Sequence, residues 1–247
     1  MVESGGAAGR AALIDGRWLL SADRRALPGL VAELTRRPDR SPRRWVVSDP
    51  SDTDDVAAMD AGLRPARDVL QMRRGLPVEP EIEQRYPQVS VRAFRPGTAD
   101  EEAWLSCNNR AFAGHPDQSG FTPDRLHRLM AEPWFEPAGC LLLDGEHGLA
   151  AFCWTKVHAD ERPALGEIFA IGVDPAYAGR GLGGSISLAG LRWLSQRGLR
   201  TAMLYVDEDN AAGRRMYDRL GFTVHHRDRV YDSDGSGPAV MPDRPPL

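Results

Sequence analysis

Apolar and polar positions alternate along Gln88–Arg95 (QVSVRAFR), the pattern of a strand with one buried face. The spacing then changes. Thr98–Phe112 reads as a helix, and Thr122-Pro123 supplies an N-cap and a first-turn proline for a second helix that reaches Met130. Two apolar runs, Cys140–Leu143 and Leu149–His158, flank the turn residues Asp144–Gly148 and predict an antiparallel hairpin. Gly166–Val173 (GEIFAIGV) predicts a further strand. A glycine-rich loop follows it, then a helix over Ser185–Gln196 with apolar positions at Ile186, Ala189, Leu191 and Leu194. Thr201–Val206 predicts a strand, Asn210–Leu220 a helix stopped by Gly221, and Phe222–Tyr231 a last strand.

The first half carries a faint echo of this last part. Trp45–Met72 (WVVSDPSDTDDVAAMDAGLRPARDVLQM) resembles Leu204–Tyr231 (LYVDEDNAAGRRMYDRLGFTVHHRDRVY). Setting Gly62 against Gly221 puts Leu63 under Phe222, Ser51 under Asn210 and Ala58 under Tyr217. Both stretches read strand, turn, helix, glycine, strand. Proline and charge concentrate in Gly75–Gln88 (GLPVEPEIEQRYPQ), which predicts a linker. Gly, Pro, Ser and Asp dominate Tyr231–Leu247, which predicts a mostly disordered tail. The expected organisation is a partial module over residues 1–76, a linker over 77–87, a working domain over 88–232 and a tail over 233–247.

A chain of 247 residues, 42% of them hydrophobic, can bury the core of one or two domains without staples. A net charge of -4 and a pI near 5.9 argue against nucleic acid or an anionic membrane as partner. Lys156 is the only lysine; the other basic residues are arginines. Cys107, Cys140 and Cys153 fit no metal or redox spacing and are expected to be reduced thiols. The N-terminal residues contain no apolar run suited to a signal peptide, and no stretch approaches the roughly 18–20 apolar residues of a membrane span. A soluble, cytoplasmic, monomeric protein is expected, with a small-molecule partner.

The strongest local signal for chemistry is Gly166–Gly184 (GEIFAIGVDPAYAGRGLGG), where a strand leads through Asp174-Pro175 into a loop with glycines at 179, 181, 183 and 184. Such a loop can wrap backbone N–H groups around an anion, and the following helix adds its N-terminal N–H groups and dipole. The expected ligand is a pyrophosphate. A Rossmann fingerprint and a P-loop fit less well: Gly179-x-Gly181-x-Gly183 lacks the x-x before its last glycine, and no Lys-Ser/Thr follows. A purely structural loop is the remaining alternative.

The segment resembles motif A of the GCN5-related N-acetyltransferases, whose loop reads Gln/Arg-x-x-Gly-x-Gly/Ala; here it runs Ala178-Gly179-Arg180-Gly181-Leu182-Gly183. Ala178 stands where Gln or Arg is usual, which implies weakened rather than lost phosphate contacts. A second signature of that family, Asn210-Ala211-Ala212 followed by Met216-Tyr217 and Leu220-Gly221-Phe222, lies at the matching distance. A narrower resemblance covers Asn108–Thr122, Glu132–Leu142, Phe152–His158, Gly166–Pro175, Leu204–Ala212 and, in the first half, Leu70–Pro77; these are similar to the mycothiol synthase family. That family carries two acetyltransferase modules in tandem. Its second module transfers acetyl from acetyl-CoA to the cysteinyl amine of a glucosamine–inositol conjugate. The resemblance implies an α+β acetyltransferase fold, a mixed sheet flanked by helices, preceded by a partial module of the same type. Residues 1–76 are too few for a complete module, and they contain neither the glycine-rich loop nor a counterpart of Tyr217.

Acetyl transfer to an amine needs a proton acceptor for the ammonium, a donor to the thioester oxygen and a proton for the departing thiolate. Glu167, amid apolar neighbours near the start of the loop-bearing strand, is the best base candidate. Tyr217 is the candidate acid, and the N–H of Val173 or a near neighbour the candidate donor. The resemblance implies acetyl-CoA contacts at Ile171, Gly172, Val173, Ala178, Gly179, Arg180, Leu182, Gly184, Asn210, Ala211, Ala212, Arg214 and Arg215, besides Gly181 and Gly183. It also implies substrate contacts at Asp117, Lys156, Tyr205 and Glu167 itself. Trp154 and Phe121 read as core in preference to a sugar-stacking platform. His225-His226 point to opposite faces of a strand and are rejected as metal ligands, so no metal is expected. Two other functions stay open: the same fold acting on another amine, such as a protein N-terminus or a small metabolite, and an inactive acyl-CoA-binding module.

Overall fold

The computed structural model describes residues 2–3, 9–14, 17–36, 41–115 and 118–233. Asp117 and residues 234–247 lie outside the described residues, and with them one expected substrate contact and most of the expected tail. The elements in chain order are β1 (Val2–Glu3), β2 (Gly9–Ile14), β3 (Arg17–Ala22), α1 (Leu27–Thr35), β4 (Arg43–Ser48), α2 (Asp52–Asp60) and β5 (Arg64–Gly75). They continue with α3 (Pro80–Glu83), β6 (Arg92–Ala93), α4 (Asp100–Ala111), α5 (Pro123–Met130), β7 (Cys140–Gly145), β8 (Gly148–His158) and β9 (Leu165–Val173). The last are α6 (Leu182–Gln196), β10 (Thr201–Asp207), α7 (Ala211–Arg219) and β11 (Thr223–Asp232). Among the described residues no helix is long and apolar enough to cross a membrane.

Two compact units result. The first holds the described residues within Met1–Gln71, Asp207–Asp209 and His225–Leu247; the second holds Met72–Val206 and Asn210–Val224. Residues 77–87, expected as a linker, contain α3 and lie inside the second unit, and the last strand runs mostly in the first.

In the first unit the strands run β1-β2-β3-β4-β11-β5. β2 and β3 form an antiparallel hairpin, β4 joins β3 in parallel, and β11 joins β4 antiparallel from Asp228↔Ser48 to Asp232↔Arg44. Leu27, Leu30, Val31 and Leu34 recur at helical spacing and seat α1 on Trp45, Leu63 and Tyr231. Tyr231 packs on Trp45 at 5.2 Å between ring centroids and donates its hydroxyl to Asp55.

The sequence echo is present as geometry. Ser51 caps α2 in a capping box with Asp54, and Asn210 caps α7 by accepting the Gly213 N–H. Gly62 and Gly221 end those helices at φ of 76° and 81°. The N–H of Leu63 reaches the carbonyl of Ala58, and that of Phe222 reaches the carbonyl of Tyr217.

In the second unit the order is β5-β10-β9-β8-β7-β6. The predicted strand over Gln88–Arg95 is regular only at Arg92–Ala93. Its sole neighbour, β7, shifts register between Leu143 and Asp144, so Gln88–Val91 has no straight partner to continue along. α6 begins at Leu182, three residues before the predicted start, because Gly183 and Gly184 belong to its first turn. A Cβ on Gly184 would land inside the Tyr86 ring, and one on Gly183 would stand 2.8 Å from Met216 Sδ. On the other face of the sheet Trp104, Phe152, Trp154 and Phe121 pack beneath α4 and α5, so Trp154 and Phe121 are core as expected.

Asp100 opens α4 and is 3% exposed. The Arg95 side chain is the main cause that lowers its carboxyl from 3.8 to about 2; burial opposes this, and Arg92 adds to the lowering. The pKa is depressed in the folded state, so the stabilisation is present above the unfolded value of 3.8 and is lost as pH falls through about 2. At about 1.4 kcal/mol per unit, Asp100→Asn should lose roughly 2 kcal/mol at neutral pH. Urea midpoints measured against pH should converge for variant and parent near pH 2. A difference that does not change with pH would contradict this account.

Candidate functional site

β9 and β10 pair in parallel over three residues only, Gly166↔Ala202, Glu167↔Met203 and Ile168↔Leu204. β9 then continues to Val173 and β10 to Asp207. The cause lies in the β8–β9 ladder. Thr155 faces Ile168 but Trp154 faces Ala170, so Phe169 has no partner and forms a bulge. A bulge bends its strand and adds twist, which turns the second half of β9 away from β10. The opening leaves backbone N–H and C=O groups of residues 169–173 on that edge without a strand neighbour.

The bulge also resets which residue faces which side. Ile168 lies against Gly190 of α6, whereas Phe169 packs on Trp134 at 4.9 Å and on Trp154 at 5.7 Å, on the α4–α5 side. A Cβ on Gly172 would meet Phe152 and Ala111 on that same side, and Val173 returns to the α6 side near Gly183. Simple alternation along GEIFAIGV would put Glu167, Ile171 and Val173 on one face. In the structure Glu167 faces the α4–α5 side and Val173 the α6 side.

The loop follows the opened strand. Asp174 accepts the Ala176 N–H at 2.9 Å and the Arg110 Nε–H at 2.7 Å, fixing the turn Pro175–Tyr177. Burial pushes the Asp174 carboxyl up, but the Ala176 N–H and Arg110 outweigh it and hold the carboxyl below its usual value. The sequence reading missed this anchor because Arg110 lies 64 residues away on α4. Gly179 and Gly181 adopt φ of 77° and 74°, the left-handed region open to glycine, and Gly181 is the N-cap of α6. Ala178, Gly179, Arg180 and Gly181 are exposed, Leu182 and Gly183 half-buried. Arg180 lies over the Tyr177 ring at 5.1 Å. In the first turns of α6, Ser185 keeps a buried hydroxyl with no hydrogen-bond partner among the described residues. Asn210, Ala211 and Ala212 are exposed at the start of α7, with Arg214 half-buried and Arg215 exposed.

The first unit treats the equivalent junction differently. Between β3 and α1, Asp23 Oδ1 accepts the N–H groups of Arg25 and Ala26, both at 2.8 Å. Asp23 thus ties down the turn that precedes α1, whose N-cap is Ala26.

On the α4–α5 side, Lys156 of β8 is the register partner of Glu167. Its ammonium lies over Trp134 at 4.5 Å and Phe169 at 5.8 Å. Glu167 is 7% exposed, and its Oε2 is 2.6 Å from His158 Nε2. His158 was not among the expected site residues; its offset of two from Lys156 is the signal that places it on the same face. Tyr205, two residues beyond Met203, shares that face on β10.

The Tyr217 ring is buried and meets Phe222 edge-on at 5.8 Å. Burial raises its hydroxyl well above the usual value, and the Cys153 thiol adds to the shift. Cys107 and Cys153 are themselves pushed up to about 12, chiefly by burial, so neither is an activated nucleophile. Among the described residues no group of three metal-ligating side chains forms.

The model of the acetyltransferase (GNAT) family matches residues 102–222. The chain is 44% identical over 210 residues to a mycothiol acetyltransferase of Thermomonospora curvata, covering 85% of this chain and 68% of that one. It is 47% identical over 174 residues to the Streptomyces coelicolor mycothiol acetyltransferase, covering 70% and 55%. A third, from Acidimicrobium ferrooxidans, is 48% identical over 169 residues, covering 68% and 54%. The chain thus spans between about half and two thirds of the length of these curated relatives. Two solved structures share the fold: a GCN5-related N-acetyltransferase from Sphaerobacter thermophilus (TM-score 0.67, 20% identity, 94% of this chain and 78% of that one) and a tandem GNAT protein from the clavulanic acid biosynthesis pathway (TM-score 0.67, 18% identity, 95% and 81%).

Removing the Arg110 guanidinium leaves the Asp174 carboxylate with only its backbone partner. Arg110→Met should cost about 1.5–3 kcal/mol, the usual size of a hydrogen bond to a charged group, and should speed hydrogen exchange at the Ala176 amide. A loss under about 0.5 kcal/mol with unchanged exchange would show that this pair does not hold the start of the loop.

Proposed function

The chain belongs to the mycothiol acetyltransferase family of the GNAT acetyltransferases, and on that footing we propose that it transfers acetyl from acetyl-CoA to the cysteinyl amine of a cysteinyl-glucosamine–inositol conjugate, the last step in making mycothiol. The observation that carries the reading is the opening between β9 and β10 beyond Ile168. Its free backbone edge suits the amide-bearing pantetheine arm, which pairs with Ile171–Val173 as a strand would. The glycine-rich loop and the first turn of α6, with the Ser185 hydroxyl that has no partner among the described residues, suit the pyrophosphate. The starts of α6 and α7, including Arg180, Asn210, Arg214 and Arg215, flank that position along the chain.

Glu167 accepts a proton from the substrate ammonium. The amine nitrogen then bonds to the acetyl carbon, and the N–H of Val173 or its neighbour stabilises the charge on the carbonyl oxygen. As the C–S bond breaks, Tyr217 gives its proton to the sulfur, and the second proton that the nitrogen loses on becoming an amide restores the Tyr217 hydroxyl. Its raised pKa keeps that proton in place throughout the neutral range. Transfer is direct, without an acyl-enzyme. Lys156, Tyr205 and Asp117 bind the sugar–inositol hydroxyls; the Trp134 and Phe169 rings hold the Lys156 ammonium in position. Residues 1–76 act as a degenerate partial module with a structural role. Ala58 stands at the Tyr217 position, and a turn fixed by Asp23, in place of a glycine-rich loop, leads into α1.

Calorimetric titration of the chain with acetyl-CoA should give one site, and Gly181→Glu should abolish it through bulk and like charge. Two sites of similar affinity, or unchanged affinity in the variant, would contradict the assignment. Turnover against a panel of amines that includes the cysteinyl conjugate tests the acceptor; a protein N-terminus or another metabolite turned over faster would redirect it, and no turnover at all would leave a binding module.

Glu167→Gln should lose about 10²–10⁴-fold in kcat, and the loss should shrink as pH rises and more amine is already deprotonated. Tyr217→Phe should lose less, because a CoA thiolate leaves tolerably well unprotonated. A Glu167→Gln enzyme with wild-type kcat and a raised KM would make Glu167 a substrate-binding residue only.

A further inference from the structure

We infer that His158 is the proton outlet of Glu167, a positioning residue that orients the carboxylate and carries its proton to water between turnovers. The inference deepens the reading of Glu167 as the base and rests on it. A base that takes a proton in each turnover must lose it before the next, and Glu167, at 7% exposure, has little contact with water. Its Oε2 lies 2.6 Å from His158 Nε2, closer than an ordinary N–H···O pair; the imidazole donates when Nε2 carries its proton and accepts from the protonated Glu167 when Nδ1 carries it. The His158 side chain is 24% exposed. Its pairing with Leu165 is the last of the β8–β9 ladder, where the chain leaves the sheet for an exposed turn. The imidazole thus joins a buried carboxylate to solvent.

The other charged and titratable groups nearby do not offer that route. Lys156 is the register partner of Glu167, but its ammonium lies over Trp134 and Phe169. β10 sets Met203 beside Glu167, with Tyr205 two residues on. In the turn, Arg162 donates to the carbonyls of Ala159 and Glu161, and Asp160 and Glu161 are exposed.

The steps conserve atoms and electron pairs. The ammonium N–H bond breaks as a Glu167 O–H bond forms. From Oε2 that proton moves to Nε2 of the Nδ1–H tautomer of His158, giving an imidazolium, which then loses a proton to water. Histidine suits this task because its two ring nitrogens let it take up one proton and release another.

The test uses steady-state kinetics of the full chain with acetyl-CoA and the cysteinyl-glucosamine–inositol amine. His158→Ala should lower kcat by at least about tenfold, within the loss expected for removing the base itself, with acetyl-CoA affinity unchanged. Added imidazole should restore kcat in proportion to its free base. His158→Gln keeps an N–H donor but cannot relay a proton, and should stay impaired. His158→Ala combined with Glu167→Gln should be no worse than Glu167→Gln alone, since His158 acts through Glu167. Wild-type kcat in His158→Gln, or a His158→Ala enzyme indifferent to imidazole, overturns the outlet. If the alanine variant fails to fold, His158→Asn takes its place in the imidazole arm. Wild-type kcat in Glu167→Gln would instead sink the base itself, whereas an impaired Glu167→Gln beside an unimpaired His158→Ala would sink only the outlet.

Discussion

The parallel ladder between β9 and β10 stops after three residue pairs, and the candidate site depends on that stop. A fully paired β9 would spend its N–H and C=O groups on β10 and leave no edge to which an extended ligand can bind. The bulge at Phe169 prevents this, and it also sets two faces to separate work. Below the bulge β9 presents Glu167 to the aromatic core under α4 and α5; above it, Val173 turns toward α6 and the glycine-rich loop. An acceptor amine and a thioester that approach from opposite sides of one strand meet without competing for the same surface.

The glycines of Gly179–Gly184 have two separate physical roles. Gly179 and Gly181 supply left-handed backbone, which the loop needs to turn into the start of α6. Gly183 and Gly184 have ordinary helical geometry and are small because Met216 and the Tyr86 ring stand against them. A run of four glycines therefore reads as one phosphate loop in the sequence, whereas in space half of it is packing. Arg110 and Asp174 complete the arrangement from outside the run by fixing where the loop leaves β9.

Periodicity made most of the second unit legible. The β7–β8 hairpin, α5 with its Thr122 cap, and the boundaries of β10, α7 and β11 follow from spacing and capping residues. The echo between Trp45–Met72 and Leu204–Tyr231 was legible because both halves need the same cap and the same left-handed glycine. The bulge was not legible: GEIFAIGV is a nearly continuous apolar run that gives no phase, and only the partner strand reveals that Phe169 is unpaired. The hairpin β2–β3 and helix α1 also escaped notice, since Asp23 replaces the glycine signal at their junction. Glu167 was visible as a carboxylate among apolar residues and Lys156 as the only lysine, but their pairing, and the place of His158 beside them, depends on register across a hairpin whose strands are joined by the turn 159–164.

The two strand-to-helix junctions of the chain illustrate how one architecture is committed to binding or to structure. Both place free N–H groups at a helix start, and both must satisfy them, because unpaired donors are costly once water is excluded. At β3–α1 the Asp23 side chain folds onto the N–H groups of Arg25 and Ala26, so that a short turn leads directly into the helix, and Pro28 removes one donor from its first turn. At β9–α6 the acidic residue sits seven positions before the N-cap, tied to Arg110 and Ala176, and the loop beyond it has no side chain that folds back onto the helix start. The donors there remain open to an anion from outside. The distance from the aspartate to its helix, three residues before the N-cap at α1 and seven at α6, thus sets a short turn apart from the longer glycine-rich loop that the proposed binding needs.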